Sequence, residues 1–269
     1  MQKKKPGSGI YFILFMFALL GILLNLFIIL DAEKYHFIIN KQTSKKDKVT
    51  KTNLSYIESS KKSILFVAPN DCSGKQCSSG TGFVIKRGYV VTNAHVIQCS
   101  DRCENIELKD YKGKIHSAQI EAITSLSYSK SEDIAILKIN DLSLPALKLA
   151  NSSKYQVQHD GDEILTIGYP LPGAASSDDK ASVSDKGAIS TYKSDEGIFV
   201  ASGMHFNSGN SGGPVILIKT GEVIGIATSV LRGDISRRTV PVEGVEYVIP
   251  INRVKNFFIE KTGDNLENF

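Results

Sequence analysis

Short apolar segments separated by turn-forming residues occupy most of this chain from Ser63 onward. The segments are rich in Val, Ile, Phe, Tyr and Thr, and Gly, Asn, Asp, Ser or Pro bounds them, which is typical of β-strands. Turns at residues 86–88 and 219–222 predict hairpins. No strand–helix–strand alternation is visible, which favours antiparallel barrels or a sandwich. The predicted strands are 63–69, 80–86, 88–94, 114–123, 133–139, 162–169, 186–192, 197–202, 213–218, 222–230 and 246–250, followed by a helix at 251–261 after Pro250.

A different pattern marks the N-terminus, where Ile10 to Leu30 is uncharged and has Asn25 as its one polar interruption. A helix of this length rises about 1.5 Å per residue and matches the roughly 30 Å hydrocarbon core of a bilayer. A buried core helix would show a polar face, and a signal peptide has a shorter apolar region of about 7–15 residues. We therefore predict a retained transmembrane helix at residues 10–30, preceded by a short N-terminus at 1–9.

Residues 31–62 are polar and rich in lysine, which predicts a tether between the membrane and a folded domain at 63–269. Lysines flank the apolar segment on both sides, so the positive-inside rule leaves its orientation open. The whole chain carries a formal net charge of +4, and its 42% hydrophobic and 22% charged residues are ordinary for a folded protein. Composition therefore excludes a wholly disordered chain and gives no reason to expect nucleic-acid binding.

Candidate chemistry lies in three separate segments. Ser211 stands in the glycine-rich turn 209–214, which can expose a hydroxyl and converge backbone N–H groups on one point. His95 follows an apolar strand, and Asp133 precedes another. Each alone is more often a turn or structural residue, but a serine nucleophile needs a histidine base and an acid to orient it.

Taken together, the segments GTGFVI, VVTNAHV, DIAILKI, GNSGGPV, EVIGIATS and EYVIPINRVKNF resemble the trypsin-like (chymotrypsin-fold) serine proteases, most closely the HtrA/DegP-like branch. The resemblance covers residues 63–260. It implies an all-β fold of two six-stranded antiparallel barrels and a C-terminal helix, with the substrate cleft between the barrels.

The resemblance also implies roles for individual residues. Ser211 would be the nucleophile, His95 the general base and Asp133 its orienting acid, with the N–H groups of Gly209 and Ser211 forming the oxyanion hole. Strand residues Thr228, Ser229 and Val230 would pair with an extended substrate. His205 and Phe206 would lie at the base of the primary pocket, and Val245 would narrow it. No cofactor or metal is implied.

Departures from the family define further expectations. Asn210 stands where digestive trypsin-like enzymes have an Asp that pairs with a newly cut N-terminus, so we expect activity without that cleavage. Only a short segment follows the last predicted helix, so we expect no PDZ domain. A small or medium apolar residue is favoured before the scissile bond, while His205 keeps an acidic preference open. A trimer, common in the HtrA branch, is left open as well.

Four cysteines surround the His95 segment. If residues 80–86 and 89–95 form a hairpin, Cys77 falls near Cys99 and Cys72 near Cys103, which predicts two nested disulfides. Local loops, a four-thiolate zinc site and free thiols are the alternatives. Disulfides indicate an oxidising compartment, which would place residues 1–9 in the cytoplasm and the domain in the periplasm or cell exterior.

The predicted function is therefore a membrane-anchored, extracytoplasmic serine endopeptidase that acts on unfolded or exported polypeptides. A catalytically inactive barrel that binds peptides or partners is the main alternative, and hydrolysis of another acyl group is a third.

Overall fold

The computed structural model describes residues 55–71, 73–99, 106–124, 132–151, 160–170, 180–228 and 245–266. Every described residue belongs to one compact unit, Asn53–Phe269. Among these described residues no helix is both long and apolar enough to cross a membrane. The predicted transmembrane helix at residues 10–30 lies outside the described ranges.

Six strands of the first half of the domain close into a barrel whose order is β1-β2-β3-β6-β5-β4. Each neighbouring pair in this barrel is antiparallel. Inward-facing aliphatic side chains such as Leu65, Val90 and Leu137 fill its interior. The strands are β1 (Ile64–Pro69), β2 (Gly80–Lys86), β3 (Tyr89–Thr92), β4 (Ile106–Lys109), β5 (Ile115–Ile123) and β6 (Ala135–Ile139).

A second closed barrel of six antiparallel strands follows, in the order β10-β11-β12-β9-β8-β7. Its apolar cluster extends onto the first barrel, because it contains Phe83 of β2 together with Ile167, while the interior of the first barrel forms a separate cluster. The predicted pair of six-stranded barrels is therefore confirmed. The strands are β7 (Glu163–Gly168), β8 (Ser182–Lys193), β9 (Ile198–Ser202), β10 (Pro214–Leu217), β11 (Val223–Thr228) and β12 (Val245–Pro250).

Two strands differ from the sequence prediction. The pattern does not predict β4, because the four-residue segment IELK offers only Ile106 and Leu108 to the core and is stabilised by pairing on both edges. Strand β8 begins at Ser182 rather than near residue 186, and its added residues are mostly polar and half-buried. In both places pairing with neighbours outweighs weak local propensity.

The predicted C-terminal helix is also confirmed, as Ile251–Thr262. It begins after Pro250 and ends at Gly263, whose φ of 69° lets its N–H reach the Ile259 carbonyl over 2.9 Å. Its buried Phe258 packs edge-on against Tyr89 of β3, with the ring centroids 5.0 Å apart. The helix of the second half of the chain thus contacts the first barrel.

Residues 55–61, which fall within the segment predicted as a tether, are helical. The Tyr56 hydroxyl donates to the Ile218 carbonyl over 3.2 Å, and its ring lies against Gly221. Burial raises the pKa of Tyr56. This segment therefore packs on the second barrel beside the β10–β11 turn.

Candidate active site

The imidazole of His95 is positioned by a short 3₁₀ turn that follows β3, Ala94–Ile97. Ala94, Val96 and Ile97 are buried in the barrel, which anchors the turn, while 31% of the His95 side chain stays exposed. The Asn93 amide donates to the Asp133 carbonyl oxygen over 2.8 Å. The sequence thus fixes the turn by its apolar residues and presents the histidine ring to solvent.

Asp133 lies beside this turn because β3 pairs with β6, with Thr92 opposite Ala135. Its Oδ1 accepts a hydrogen bond from the His95 backbone N–H over 2.9 Å, and its Oδ2 lies 2.6 Å from His95 Nδ1. The Thr228 hydroxyl, from the second barrel, donates to the same Oδ2 over 3.1 Å. With its proton on Nδ1, the imidazole donates to Asp133 and keeps Nε2 as an acceptor.

The electrostatics of Asp133 follow from these contacts. Burial alone would raise the pKa of its carboxyl, but the hydrogen bonds and charge of His95, together with the Thr228 hydroxyl, outweigh burial and lower the pKa below its usual value. The carboxylate is therefore ionised at neutral pH and stabilises a positive charge on the neighbouring imidazole.

Ser211 lies in a turn that needs its glycines. Gly209 and Gly212 have φ of 96° and 86°, a region that disfavours residues with a Cβ. A Cβ at Gly212 would also collide with the Thr81 carbonyl oxygen and the Thr92 hydroxyl. Paired bonds tie the turn to β11: the Gly212 N–H donates to the Ala227 carbonyl over 2.9 Å, and the Ala227 N–H to the Gly213 carbonyl over 2.8 Å.

The serine turn and the histidine turn approach each other at Gly80, the first residue of β2. A Cβ there would lie 2.6 Å from Cγ1 of Val96 and 2.9 Å from the carbonyl oxygen of Ser211. The residue after His95 and the backbone of Ser211 therefore meet at one point. Because Thr228 of the second barrel also bonds Asp133, the turns that carry His95 and Ser211 both lie where the barrels join.

Thr81 joins the barrels and was not identified from the sequence. Its N–H donates to the Ser211 carbonyl over 2.9 Å, and its hydroxyl donates to the Gly209 carbonyl over 2.6 Å. The same hydroxyl accepts from the Tyr169 N–H over 3.1 Å. This fully buried side chain thereby orients the backbone on both sides of Asn210. The segment GTGF gives no local signal for these contacts, because the Gly209 carbonyl lies 128 residues further along the chain.

The N–H groups of Gly209 and Ser211 were predicted to bind an oxyanion. Among the hydrogen bonds of the described residues, neither of these two N–H groups acts as a donor. Thr81 binds the carbonyl of Gly209 and the carbonyl of Ser211. It therefore orients the peptide units directly before and after the one that carries the Ser211 N–H. Asn210 between them is fully buried, and its side-chain nitrogen and oxygen have no hydrogen-bond partner in the described part of the chain.

The residues predicted to contact the substrate differ in how accessible they are. The His205 side chain is exposed, with Nδ1 3.8 Å from Asp185 Oδ2, whereas Phe206 is buried. The Thr228 hydroxyl is turned to Asp133 and is not free for substrate. Ser229 and Val230 lie outside the described residues, as does the side chain of Val245.

A disulfide joins Cys77 and Cys99, with their Cα atoms 5.8 Å apart, and links the chain before β2 to the chain after the histidine turn. Cys72 and Cys103 lie outside the described residues. A second histidine–carboxylate pair joins His116 Nε2 to Asp110 Oδ2 over 3.0 Å. Both side chains are buried, so the pair cannot contact a substrate. No cluster of metal-ligating side chains occurs among the described residues.

Two closed antiparallel barrels with an imidazole–carboxylate pair and a glycine-bounded serine at their junction define the class of two-barrel serine hydrolases. The trypsin-like peptidase domain model matches residues 80–226, a stretch that contains all three of these side chains. The chain belongs to this family of serine proteases.

Relatives in the DegP-like group share this region. A probable periplasmic serine endoprotease of Pseudomonas putida is 34% identical over 177 residues, which cover 65% of this chain and 33% of that protein. A similar protein of Chlamydia pneumoniae is 31% identical over 160 residues, covering 59% and 30%. The putative serine protease HhoB of Synechocystis is 28% identical over 195 residues, covering 70% and 41%. The match thus extends over less than half the length of each of these three relatives.

A solved structure has the same fold. The serine endoprotease from Yersinia pestis superposes with a TM-score of 0.61 at 23% sequence identity, covering 79% of this chain and 67% of that chain. At this identity the likeness establishes the barrel pair alone.

Proposed function

We propose that this chain is a serine endopeptidase that cleaves peptide bonds through an acyl-enzyme, with Ser211, His95 and Asp133 as its catalytic residues. The observation that carries the proposal is the 2.6 Å contact between His95 Nδ1 and Asp133 Oδ2, made beside the glycine-bounded turn of Ser211. An exposed imidazole held by a buried carboxylate is the arrangement that general-base activation of a serine requires.

In the proposed mechanism the Ser211 hydroxyl attacks the peptide carbonyl while its proton passes to His95 Nε2. Asp133 stabilises the imidazolium, and the N–H groups of Gly209 and Ser211 bind the tetrahedral oxyanion, each donor contributing about 3–4 kcal/mol in comparable sites. Collapse of the intermediate expels the amine, which takes the proton from His95. Water activated by His95 then releases the acyl group and restores the serine hydroxyl.

The same proposal includes location and substrate. The disulfide between Cys77 and Cys99 supports an oxidising compartment, and the relatives named as periplasmic endoproteases support an extracytoplasmic domain. The apolar segment from Ile10 to Leu30 supports a single membrane anchor. With the disulfide-bonded domain in an oxidising compartment, residues 1–9 would lie in the cytoplasm. Unfolded or exported polypeptides that present an extended segment to β11 are the proposed substrates.

A peptide-library digest of the full chain tests the activity. We expect cleavage by the wild-type protein and none by Ser211→Ala. Ser208→Ala is the matched control, since it removes an exposed hydroxyl from the residue just before the Ser211 turn and should leave cleavage within about threefold, the scatter of a surface change. Hydrolysis of activated esters without peptide cleavage would contradict the endopeptidase assignment, as would cleavage that persists in Ser211→Ala.

A further inference from the structure

Two carboxylates hold the backbone that leaves β9 and leads to the Ser211 turn, a stretch called here the 203–207 segment. Asp185 lies on β8, and its Oδ2 accepts a hydrogen bond from the His205 N–H. Glu246 lies on β12, and its Oε1 accepts from the Phe206 N–H over 3.0 Å. Strands β8 and β12 flank β9 in the barrel, so the segment is held from both neighbouring strands.

The path of the segment brings it within reach of these side chains. Gly203, with φ of 69°, turns the chain as it leaves β9. A Cβ at Gly187 of β8 would collide with the Ser202 carbonyl oxygen and the Met204 side chain, so the segment crosses β8 in close contact. Met204 is fully buried and anchors the segment below His205.

Both carboxylates have further electrostatic neighbours. Asp185 Oδ1 accepts from the Lys186 N–H over 2.7 Å, and Asp185 Oδ2 lies 3.8 Å from the exposed His205 imidazole. Burial raises the pKa of the Glu246 carboxyl; the Phe206 N–H and the His205 charge act against this, and the Asp185 charge adds to it. The raised pKa means that the ionised form of Glu246 is held at a net cost, which its hydrogen bond only partly offsets.

We propose that Asp185 and Glu246 are positioning residues that fix the 203–207 segment so that Phe206 forms part of the base of the primary substrate pocket. The carboxylates touch the backbone N–H groups of the two residues at the proposed pocket base and not the reacting atoms. They therefore determine how strongly the enzyme discriminates at the residue before the scissile bond. This inference rests on the endopeptidase function proposed above.

Two variants at Glu246 distinguish the loss of its hydrogen-bond acceptor from the loss of its side-chain volume. Glu246→Gln keeps an oxygen acceptor for the Phe206 N–H, whereas Glu246→Leu keeps similar bulk and leaves that N–H unpaired. Glu222 supplies the matched control. It is half-buried like Glu246 and pairs with Lys148 over 2.8 Å, but it immediately precedes β11, at the end of that strand opposite Thr228. Glu222→Gln and Glu222→Leu are measured alongside.

Peptides that differ only in the residue before the scissile bond are the first readout. For an apolar residue there, we expect Glu246→Leu to lower kcat/KM about 10- to 100-fold, the range for losing a hydrogen bond to a charged group, and Glu246→Gln to stay within about threefold. For glycine, which has no side chain to reach the base of the pocket, the loss should stay below about threefold. An equal loss for both peptides, or the same losses in the Glu222 variants, would overturn the proposal.

Hydrogen exchange of the peptide that contains residues 203–207 is the second readout, and it does not depend on catalysis. We expect at least about tenfold faster exchange in Glu246→Leu and wild-type exchange in Glu246→Gln. Unchanged exchange in Glu246→Leu would overturn the positioning role even if activity fell. If both variants exchange as expected but the wild-type protein cleaves no peptide, the endopeptidase function and the effect on selectivity would be contradicted. The hydrogen bonds to the 203–207 segment would still be supported.

Discussion

Replacing Thr228 by Val tests how the second barrel supports the carboxylate of the first. The change is nearly isosteric and removes one donor from Asp133, whose Oδ2 accepts the Thr228 hydroxyl over 3.1 Å. A hydrogen bond to a charged group contributes about 1.5–3 kcal/mol. Asp133 keeps its two bonds to His95, so we expect the lower part of that range, a loss of about 1.5–2 kcal/mol in the free energy of unfolding at pH 7.

The loss should depend on pH in a definite direction. The pKa of Asp133 is lowered in the folded state, so the ionised carboxylate contributes stability above the unfolded-state pKa of about 3.9. That contribution disappears as the pH falls through the folded-state pKa. The difference between Thr228→Val and the parent protein should therefore be constant near neutrality and shrink in acid.

Urea unfolding in a Ser211→Ala background, which prevents self-cleavage, measures both effects. Thr166→Val is the matched control: Thr166 is fully buried on β7 of the same barrel, but its hydroxyl has no hydrogen-bond partner within the described ranges. Its replacement should be neutral or stabilising by up to about 1 kcal/mol. A Thr228→Val loss below about 0.5 kcal/mol at pH 7, the usual scatter of a surface change, or an equal loss in Thr166→Val, would refute the reasoning.

Three further substitutions have expected outcomes. Asn210→Asp buries a carboxylate where no partner lies in the described part of the chain, so urea unfolding should show a loss of about 3–5 kcal/mol at pH 7 that is smaller at pH 4; equal losses would contradict this. Gly212→Ala should prevent folding, judged by circular dichroism, because the added Cβ meets both a positive φ and a collision. Gly161→Ala has open space around it and should lower the free energy of unfolding by about 1–2 kcal/mol. Similar losses in the two variants would argue against the collision. The raised pKa of Glu246 makes its charge destabilising above that pKa, so Glu246→Gln should shift the urea midpoint upward at pH 7, with the gain narrowing as the pH falls; a constant gain would count against it.

The parts of the fold that were predictable from the sequence are those in which local pattern and burial agree. Segments such as 80–86 and 223–228 have every residue, or nearly every residue, buried, and their apolar β-branched composition predicts strands directly. Strand β4 has only two buried side chains, and its existence depends on partners that lie on both of its edges. Pairing between strands is a property of the closed barrel and leaves little trace in four residues.

Some residues of the candidate site could likewise be predicted from the sequence, and others could not. The serine, histidine and aspartate stand in recognisable segments, and resemblance to a family was enough to put them forward. Thr81 and Glu246 could not be identified, because their partners are chosen by tertiary structure: the Thr81 hydroxyl bonds a carbonyl 128 residues away, and Glu246 bonds an amide 40 residues away. Single polar residues in strands carry no sequence signal for such contacts.

The central claim is that Ser211 is a nucleophile activated by the His95–Asp133 pair. Labelling with a fluorophosphonate, followed by mass spectrometry of the modified peptide, tests it most directly. We predict one adduct on the Ser211 oxygen, absent in Ser211→Ala and formed at least about 100-fold more slowly in His95→Ala, in line with the usual contribution of a general base. An adduct on another residue, or labelling at an unchanged rate in His95→Ala, would contradict the account.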